Sequence, residues 1–289
     1  MKIAIITDIH HGPQSHTKEP GWDALQVMRD CIWHAGEHGA DLLLDLGDRI
    51  SDTSREGDRQ VAAEVAATFA TFNGPRYHVL GNHDVANMSI ADNEEILGQS
   101  MESRVVDLGE ARLILWQPGV KIEWPTGFPH AAANLDWLVE TLSADTKPAI
   151  IATHVPLSGH LQVGNYYFER NPQFSTYPDH VTVREAVEAT GNAALWLSGH
   201  VHWNTVTNMR GLPHITVQSV SERFTTFPQG AAAFAMLEIA DGKFSLEAHG
   251  RDPFAVSMPF RRSGERPWMP ALAPFTARDV PAEREAERA

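Results

Sequence analysis

Five short, mostly apolar runs, at 2–7, 42–46, 76–80, 148–153 and 193–198, constrain this chain most, because each stops at a group of Asp, Asn or His residues. Apolar runs this short with little alternation read as strands buried on both faces. Between the first two, Leu25, Met28, Cys31, Ile32 and Ala35 recur at helical spacing within Trp22–His38. Asp58–Phe72 is alanine-rich and helical in composition, and Asn134–Leu142 predicts a further helix with Asn134 as its N-cap. Strand–helix alternation of this kind indicates α/β layering.

The last third reads differently. Thr205–Asn208, His214–Gln218, Ala231–Ile239 and Phe244–His249 are predicted strands separated by turns such as Asp241-Gly242. They suggest a second, more antiparallel sheet packed on the first. One domain is therefore expected over residues 1–252. Residues 253–289, proline-rich and then charged, read as a C-terminal tail or an arm for homo-oligomerisation.

With 43% hydrophobic residues in 289, the chain can bury a sizeable core. A formal net charge of -14 argues against binding to duplex nucleic acid or an anionic membrane. No apolar run approaches the ~20 residues of a membrane span, and the N-terminal run reads as a first strand rather than a signal sequence. Cys31 is the single cysteine, so a disulfide within the chain is excluded and a reducing cytoplasm is the expected compartment. If so acidic a protein acts on an anion, something other than side-chain charge must attract it. A metal centre can do so.

The strand ends supply the ligands for one. They read Thr7-Asp8-Ile9-His10, Gly47-Asp48-Arg49, Gly81-Asn82-His83-Asp84, Thr153-His154 and Gly199-His200-Val201-His202. The carboxyl ends of strands in open α/β sheets are where ligands bind. Asp8/His10 and His200/His202 share a two-residue spacing, which on extended backbone turns both members to one side. The Asp48 carboxylate can bridge two cations, and Asn82 offers a neutral oxygen. Mixed nitrogen and oxygen ligands suit Mn, Fe, Zn or Co better than Ca or Cu(I).

Asp8-x-His10, Gly47-Asp48, Gly81-Asn82-His83-Asp84, His154 and Gly199-His200-x-His202, in this order over residues 8–202, resemble the calcineurin-like metallophosphoesterases. The resemblance implies a four-layer α/β/β/α sandwich of two mixed sheets flanked by helices. It also implies two divalent or mixed-valence metal ions, with Mn, Fe or Zn the expected identities. Asp8, His10, Asp48 and His202 would hold one ion, and Asp48, Asn82, His154 and His200 the other. A bridging hydroxide would be the nucleophile. His83 would stabilise the transition state or protonate the leaving oxygen, with Asp84 orienting it.

Within the family, the motif forms look more like those of bacterial phosphodiesterases that act on cyclic nucleotides or glycerophosphodiesters. The diphosphatases of nucleotide diphosphate-type small molecules are also similar. The extended Asp-Arg-Gly signature of the protein phosphatases is absent after Asp48, so a small-molecule phosphoester is the expected substrate. A phosphomonoesterase of the same fold is the alternative, and a non-catalytic scaffold the rival from another class.

Elsewhere the readings are local. Leu157–His180 carries Tyr166, Tyr167, Phe168, Phe174 and Tyr177, read as an aromatic wall for a flat leaving group or as a loop packed on the core. Arg49, Arg170 and residues around Asn87 are candidate substrate contacts. Asp41 and Asp45 read as structural, Asp52, Arg55 and Asp58 as a solvated turn, and Cys31 as inert core. His11 is expected to point away from His10, and the histidines outside the motifs, His214 among them, to lie on the surface or in the core.

Overall fold

The computed structural model describes residues 1–269, 272 and 273. The chain lays down β1 (Lys2–Ile6), α1 (Ala24–Glu37), β2 (Leu42–Asp45), α2 (Arg55–Phe69), β3 (Arg76–His78), α3 (Ile90–Leu97), β4 (Arg104–Asp107) and β5 (Arg112–Leu115). It continues with α4 (Leu135–Ser143), β6 (Ala149–Ala152), α5 (His180–Thr190), β7 (Ala193–Ser198), β8 (Thr205–Met209) and β9 (Leu212–Thr216). The strands β10 (Phe234–Ala240), β11 (Lys243–His249) and β12 (Phe254–Pro259) follow, the last strands among the described residues.

The strands form two six-stranded sheets, ordered β12-β11-β10-β1-β2-β3 and β4-β5-β6-β7-β9-β8. Both are mixed: β1, β2 and β3 are parallel while β10 joins β1 antiparallel, and β5, β6, β7 and β9 are parallel between antiparallel β4 and β8. The C-terminal strands therefore do not make the separate sheet expected from the sequence. β8 and β9 extend one sheet and β10–β12 the other, because the register of β10 sets Ile3 against Leu237 and Ile5 against Ala235. The first sheet also runs past the expected domain end at 252, since β12 pairs with β11 from Phe254 to Pro259. Of the predicted tail or arm, residues 270, 271 and 274–289 lie outside the described residues.

The unbroken apolar character of the strands follows from burial on both faces. Ile3 and Ile5 of β1 point between the sheets, where they meet Leu44, Leu115, Ile150, Leu195 and Leu197. Ala4 and Ile6 point outward onto Met28, Cys31 and Ile32 of α1 and Val65 and Phe69 of α2. On the far side Ile114, Ile151 and Trp196 pack under Leu138 and Leu142 of α4 and Val183 and Val187 of α5. The result is a helix–sheet–sheet–helix stack.

Helix ends follow local chemistry. Asp23 caps α1 by accepting from Gln26 N at 3.0 Å. Ser89 and Asp92 form a capping box on α3. Asn134 holds the N-cap position of α4, but its side chain makes no capping hydrogen bond. Among the described residues no helix is long and apolar enough to cross a membrane.

Candidate metal centre

The ends of β1, β2, β6 and β7 meet at one place, and the loops leaving them are laced together. Asp8 N donates to Gly47 O at 2.9 Å, His10 N to Asp48 O at 3.1 Å and Gly199 N to His154 O at 3.0 Å. Two glycines permit this approach. A Cβ at Gly81 would land on the Asp48 backbone and carboxylate, and one at Gly199 on Thr7 Oγ1 and Asp8 Oδ2.

Seven expected ligands converge here. Asp8, His10, Asp48 and His202 bring ligand atoms within 4.8 Å of one another, and so do Asp48, His154 and His200. Asn82 Oδ1 lies 3.3 Å from His154 Nε2, beside the second group. Asp48 belongs to both groups: His83 N holds its Oδ1 at 2.8 Å, while its Oδ2 lies 3.1 Å from His154 Nε2 and 3.9 Å from His10 Nε2.

The side chains do not meet by extended alternation, as their spacing suggested. Asp8, His10, Asp48, His200 and His202 all adopt left-handed backbone, with φ of 52°, 48°, 54°, 69° and 59°. Such conformations cost non-glycine residues about 1–3 kcal/mol each and persist where the surroundings over-determine them. Tight left-handed turns after the strands, not continued strands, aim these side chains inward. His11 points away, as expected, and meets Glu64 Oε2 at 2.8 Å.

The donor set fits cations. His10 Nε2 and His202 Nε2 face each other at 3.1 Å, with Asp8 Oδ1 3.2 Å from His202 Nε2. Asp8 Oδ1, His200 Nδ1 and His202 Nδ1 are buried and make no aligned hydrogen bond among the described residues. The far sides of the ligands are held. Asp8 Oδ2 accepts from Thr7 Oγ1 at 2.6 Å and His200 N at 2.9 Å. His154 Nδ1 donates to Leu46 O at 2.7 Å and His200 Nε2 to Phe174 O at 2.6 Å, leaving His154 Nε2 and His200 Nδ1 directed to the centre. Outer partners of this kind fix the tautomer and orientation of metal-binding imidazoles.

Electrostatics agrees. Burial would raise the Asp48 carboxyl, but the His154, His83 and His10 imidazoles hold it well below the usual carboxylate range. Burial, reinforced by the neighbouring His154, pushes His200 down to about 3, so it presents a lone pair.

His83 lines the cleft with its Nδ1 on Asp52, so Asp84 does not orient it. Asp84 lies beneath the centre instead, accepting from the backbone N–H of Asp48 (3.0 Å), Arg49 (2.9 Å) and Gly81 (2.8 Å). Arg49 is 1% exposed and bonds Asp45 (2.7 Å), Asp84 (2.9 Å), Val79 O and Asn93, so it is a buried strut rather than a substrate contact. The 52–58 turn is not simply solvated either. Asp58 is fully buried and accepts from Asn87 Nδ2 at 2.9 Å, and Arg55 pairs with Asp92 at 2.7 Å.

The cleft has a volume of about 670 Å³, and Asn87, Tyr167, Phe168 and Phe174 are among its lining residues. Arg170 is not, and Tyr177 is fully buried against Phe128. Tyr166 turns outward to His16 and Phe224. Trp124, Ile122 and Phe224 complete the apolar wall and were missed from sequence because they lie outside the motif-bearing segments. The Asp48-Arg49-Ile50-Ser51-Asp52 spacing was the available signal for Asp52.

A family model described as calcineurin-like phosphoesterase matches residues 1–204. No curated protein matches the chain. Among solved structures, a dimetal phosphatase from Danio rerio aligns over 90% of this chain and 98% of its own, with a TM-score of 0.71 and 15% identity. A purple acid phosphatase from yellow lupin (Lupinus luteus) seeds aligns over 94% and 57%, with a TM-score of 0.59 and 14% identity. GAP50, the anchor in the inner membrane complex of Plasmodium, aligns over 91% and 89%, with a TM-score of 0.56 and 13% identity. At such identities the likeness is one of fold, and that fold is the two-sheet sandwich described above. The span matched by the family model contains the strand ends whose Asp and His clusters could hold metal, from Asp8 to His202, and the chain belongs to the calcineurin-like phosphoesterase family.

Proposed function

We propose that this chain hydrolyses a small phosphodiester at a two-metal centre held by Asp8, His10, Asp48, Asn82, His154, His200 and His202. The observation that carries the reading is Asp48, shared by two ligand groups at the foot of a cleft of about 670 Å³. Mn, Fe or Zn ions suit this donor set, and when bound they supply Lewis acidity and an activated water.

The chain's own residues do the rest. Thr7 Oγ1 and His200 N fix the outer oxygen of Asp8, and His83 N fixes that of Asp48, so the inner oxygens need no reorganisation. Asp52 engages His83 Nδ1, which leaves Nε2 as the ring position to donate a proton to the leaving oxygen. Complete retention of the expected ligands favours an enzyme over a scaffold.

A diester is favoured over a monoester by the wall of the cleft. Ile122, Trp124, Tyr167, Phe168, Phe174 and Phe224 line it, and Lys121 is its single Lys or Arg among the described residues. Such a surface accommodates organic groups on phosphorus better than a second free anionic oxygen. With Mn²⁺ present, kcat/KM for bis(p-nitrophenyl) phosphate should exceed that for p-nitrophenyl phosphate about tenfold or more. A monoester preference overturns the proposal.

A further inference from the structure

One wall of the cleft carries a carboxylate that feels the Lys18 and His202 charges but receives no hydrogen bond at Oε2 among the described residues. Glu222 is 4% exposed and lines the cleft with His202, Thr17 and Phe224. Its backbone is fixed, with its N–H on Ser219 Oγ at 3.0 Å and its carbonyl accepting from Ala231 N at 3.2 Å. Oε2 is buried and makes no hydrogen bond among the described residues.

The two basic side chains flanking it, Lys18 and Arg223, give their hydrogen bonds elsewhere. Lys18, bridged to Glu222 through the backbone, gives its Nζ to the carbonyls of His10 and Pro13 and to Ser51 Oγ. Arg223, the next residue, gives its guanidinium to the carbonyls of His16 and Pro228. A carboxylate oxygen withdrawn from water without a donor is unfavourable, and a ligand that brings the donor relieves it. The same charge repels a second anionic group on the ligand.

We infer that Glu222 is a specificity-determining residue that accepts a hydrogen bond from a hydroxyl or ammonium group on the organic arm of the phosphoester. The inference rests on the phosphodiester reading above. It separates substrates by the arm they carry: a donor-bearing arm is selected over an alkyl arm of equal size, and over an arm ending in a further phosphate.

Three near-isosteric diesters test it: the p-nitrophenyl esters of propyl, 2-hydroxyethyl and 2-aminoethyl phosphate, with the Mn²⁺-loaded full chain. Glu222→Gln removes the charge and Glu222→Met removes the acceptor as well. The wild type is expected to favour the hydroxyl or the ammonium ester over the propyl ester about tenfold or more in kcat/KM. Whichever arm carries the preference identifies the donor. Glu222→Met should bring the ratio to within about twofold of unity, with Glu222→Gln between them. An unchanged ratio in Glu222→Met overturns the inference. So does an equal fall for all three esters, or a loss of bound metal, either of which places Glu222 at the metal centre instead. If the wild type cleaves none of the esters, the hydrolase reading fails by itself. Calorimetric titration with the corresponding methyl diesters then still decides Glu222: donor-arm binding lost in Glu222→Met supports the inference, and equal binding of all arms by the wild type contradicts it.

Discussion

His83 Nδ1 is hydrogen-bonded to Asp52, not to its chain neighbour Asp84. The two acids divide the work around the centre. Asp52 sits at the cleft surface and sets which nitrogen of His83 is free. Asp84 is buried beneath the centre and gathers three backbone N–H groups from the β2 and β3 loops.

On the proton-donor role proposed for His83, Asp52→Asn should therefore lower kcat, at most by the factor of about 10²–10⁴ that a positioned general acid contributes. Metal content should be unchanged, because Asp52 is not among the clustered ligands. Steady-state kinetics with metal analysis on the same preparation checks both, and a fall in metal content rules out the orienting role.

Arg49→Met should act on stability. The guanidinium is buried between Asp45 and Asp84, and its removal leaves Asp84 without its cation and Asp45 with His78 alone. Breaking a buried pair from one side costs about 3–5 kcal/mol. Urea unfolding of the variant should show that loss. Near-wild-type stability contradicts the strut assignment.

Gly199→Ala and Gly36→Ala should move in opposite directions. A Cβ at Gly199 would lie 2.5 Å from Asp8 Oδ2 and closer still to Thr7 Oγ1, so overpacking of about 1–3 kcal/mol and weaker metal binding are expected. Gly36, inside α1, has open space where a Cβ would stand, with no neighbouring atom within 4 Å, and alanine there should stabilise by about 0.5–1 kcal/mol. Thermal melts of both variants suffice to compare the signs.

His214 on β9 gives the fold a pH dependence. It stacks on Trp196 at 5.2 Å with neither ring nitrogen hydrogen-bonded among the described residues. Burial, helped by the Arg184 charge, pushes it down to about 3. The unfolded chain binds a proton near pH 6.5, so the stability this neutral ring permits is complete above that pH and is lost as pH falls toward 3. At pH 5 the loss is about 2 kcal/mol. His214→Phe should remove that part of the acid sensitivity, seen as a smaller difference in urea midpoint between pH 8 and pH 5. An identical difference in variant and wild type excludes His214 as its source.

The strand ends are legible in sequence because burial on both faces makes each strand a continuous apolar run, and the polar residue that stops it is then conspicuous. That is why Asp8, Asp48, His154 and His200 can be located without the fold. Which sheet β8–β12 join is not legible, since the pairing of Ile3 with Leu237 joins residues far apart in the chain and leaves no local trace. The partner of His83 is misread from sequence for a related reason. Asp84 is adjacent in sequence, but the short helical turn over His83–Val85 sends neighbouring side chains apart, while the β2 loop brings Asp52 across. The capping box of Ser89 and Asp92 is readable but easily passed over, because α3 is only 8 residues long. Glu222 follows no motif, and only the folded cleft reveals that its Oε2 has no donor among the described residues.

The central claim, two metal ions sharing Asp48, is tested most directly by metal stoichiometry. Elemental analysis of protein reconstituted with Mn²⁺ should give about two ions per wild-type chain. Asp48→Ala should bind less than one and lose phosphoester hydrolysis, whereas His154→Ala, which touches one ligand group, should keep about one. A wild-type chain that binds no metal, or an Asp48→Ala variant that keeps both ions, contradicts the account.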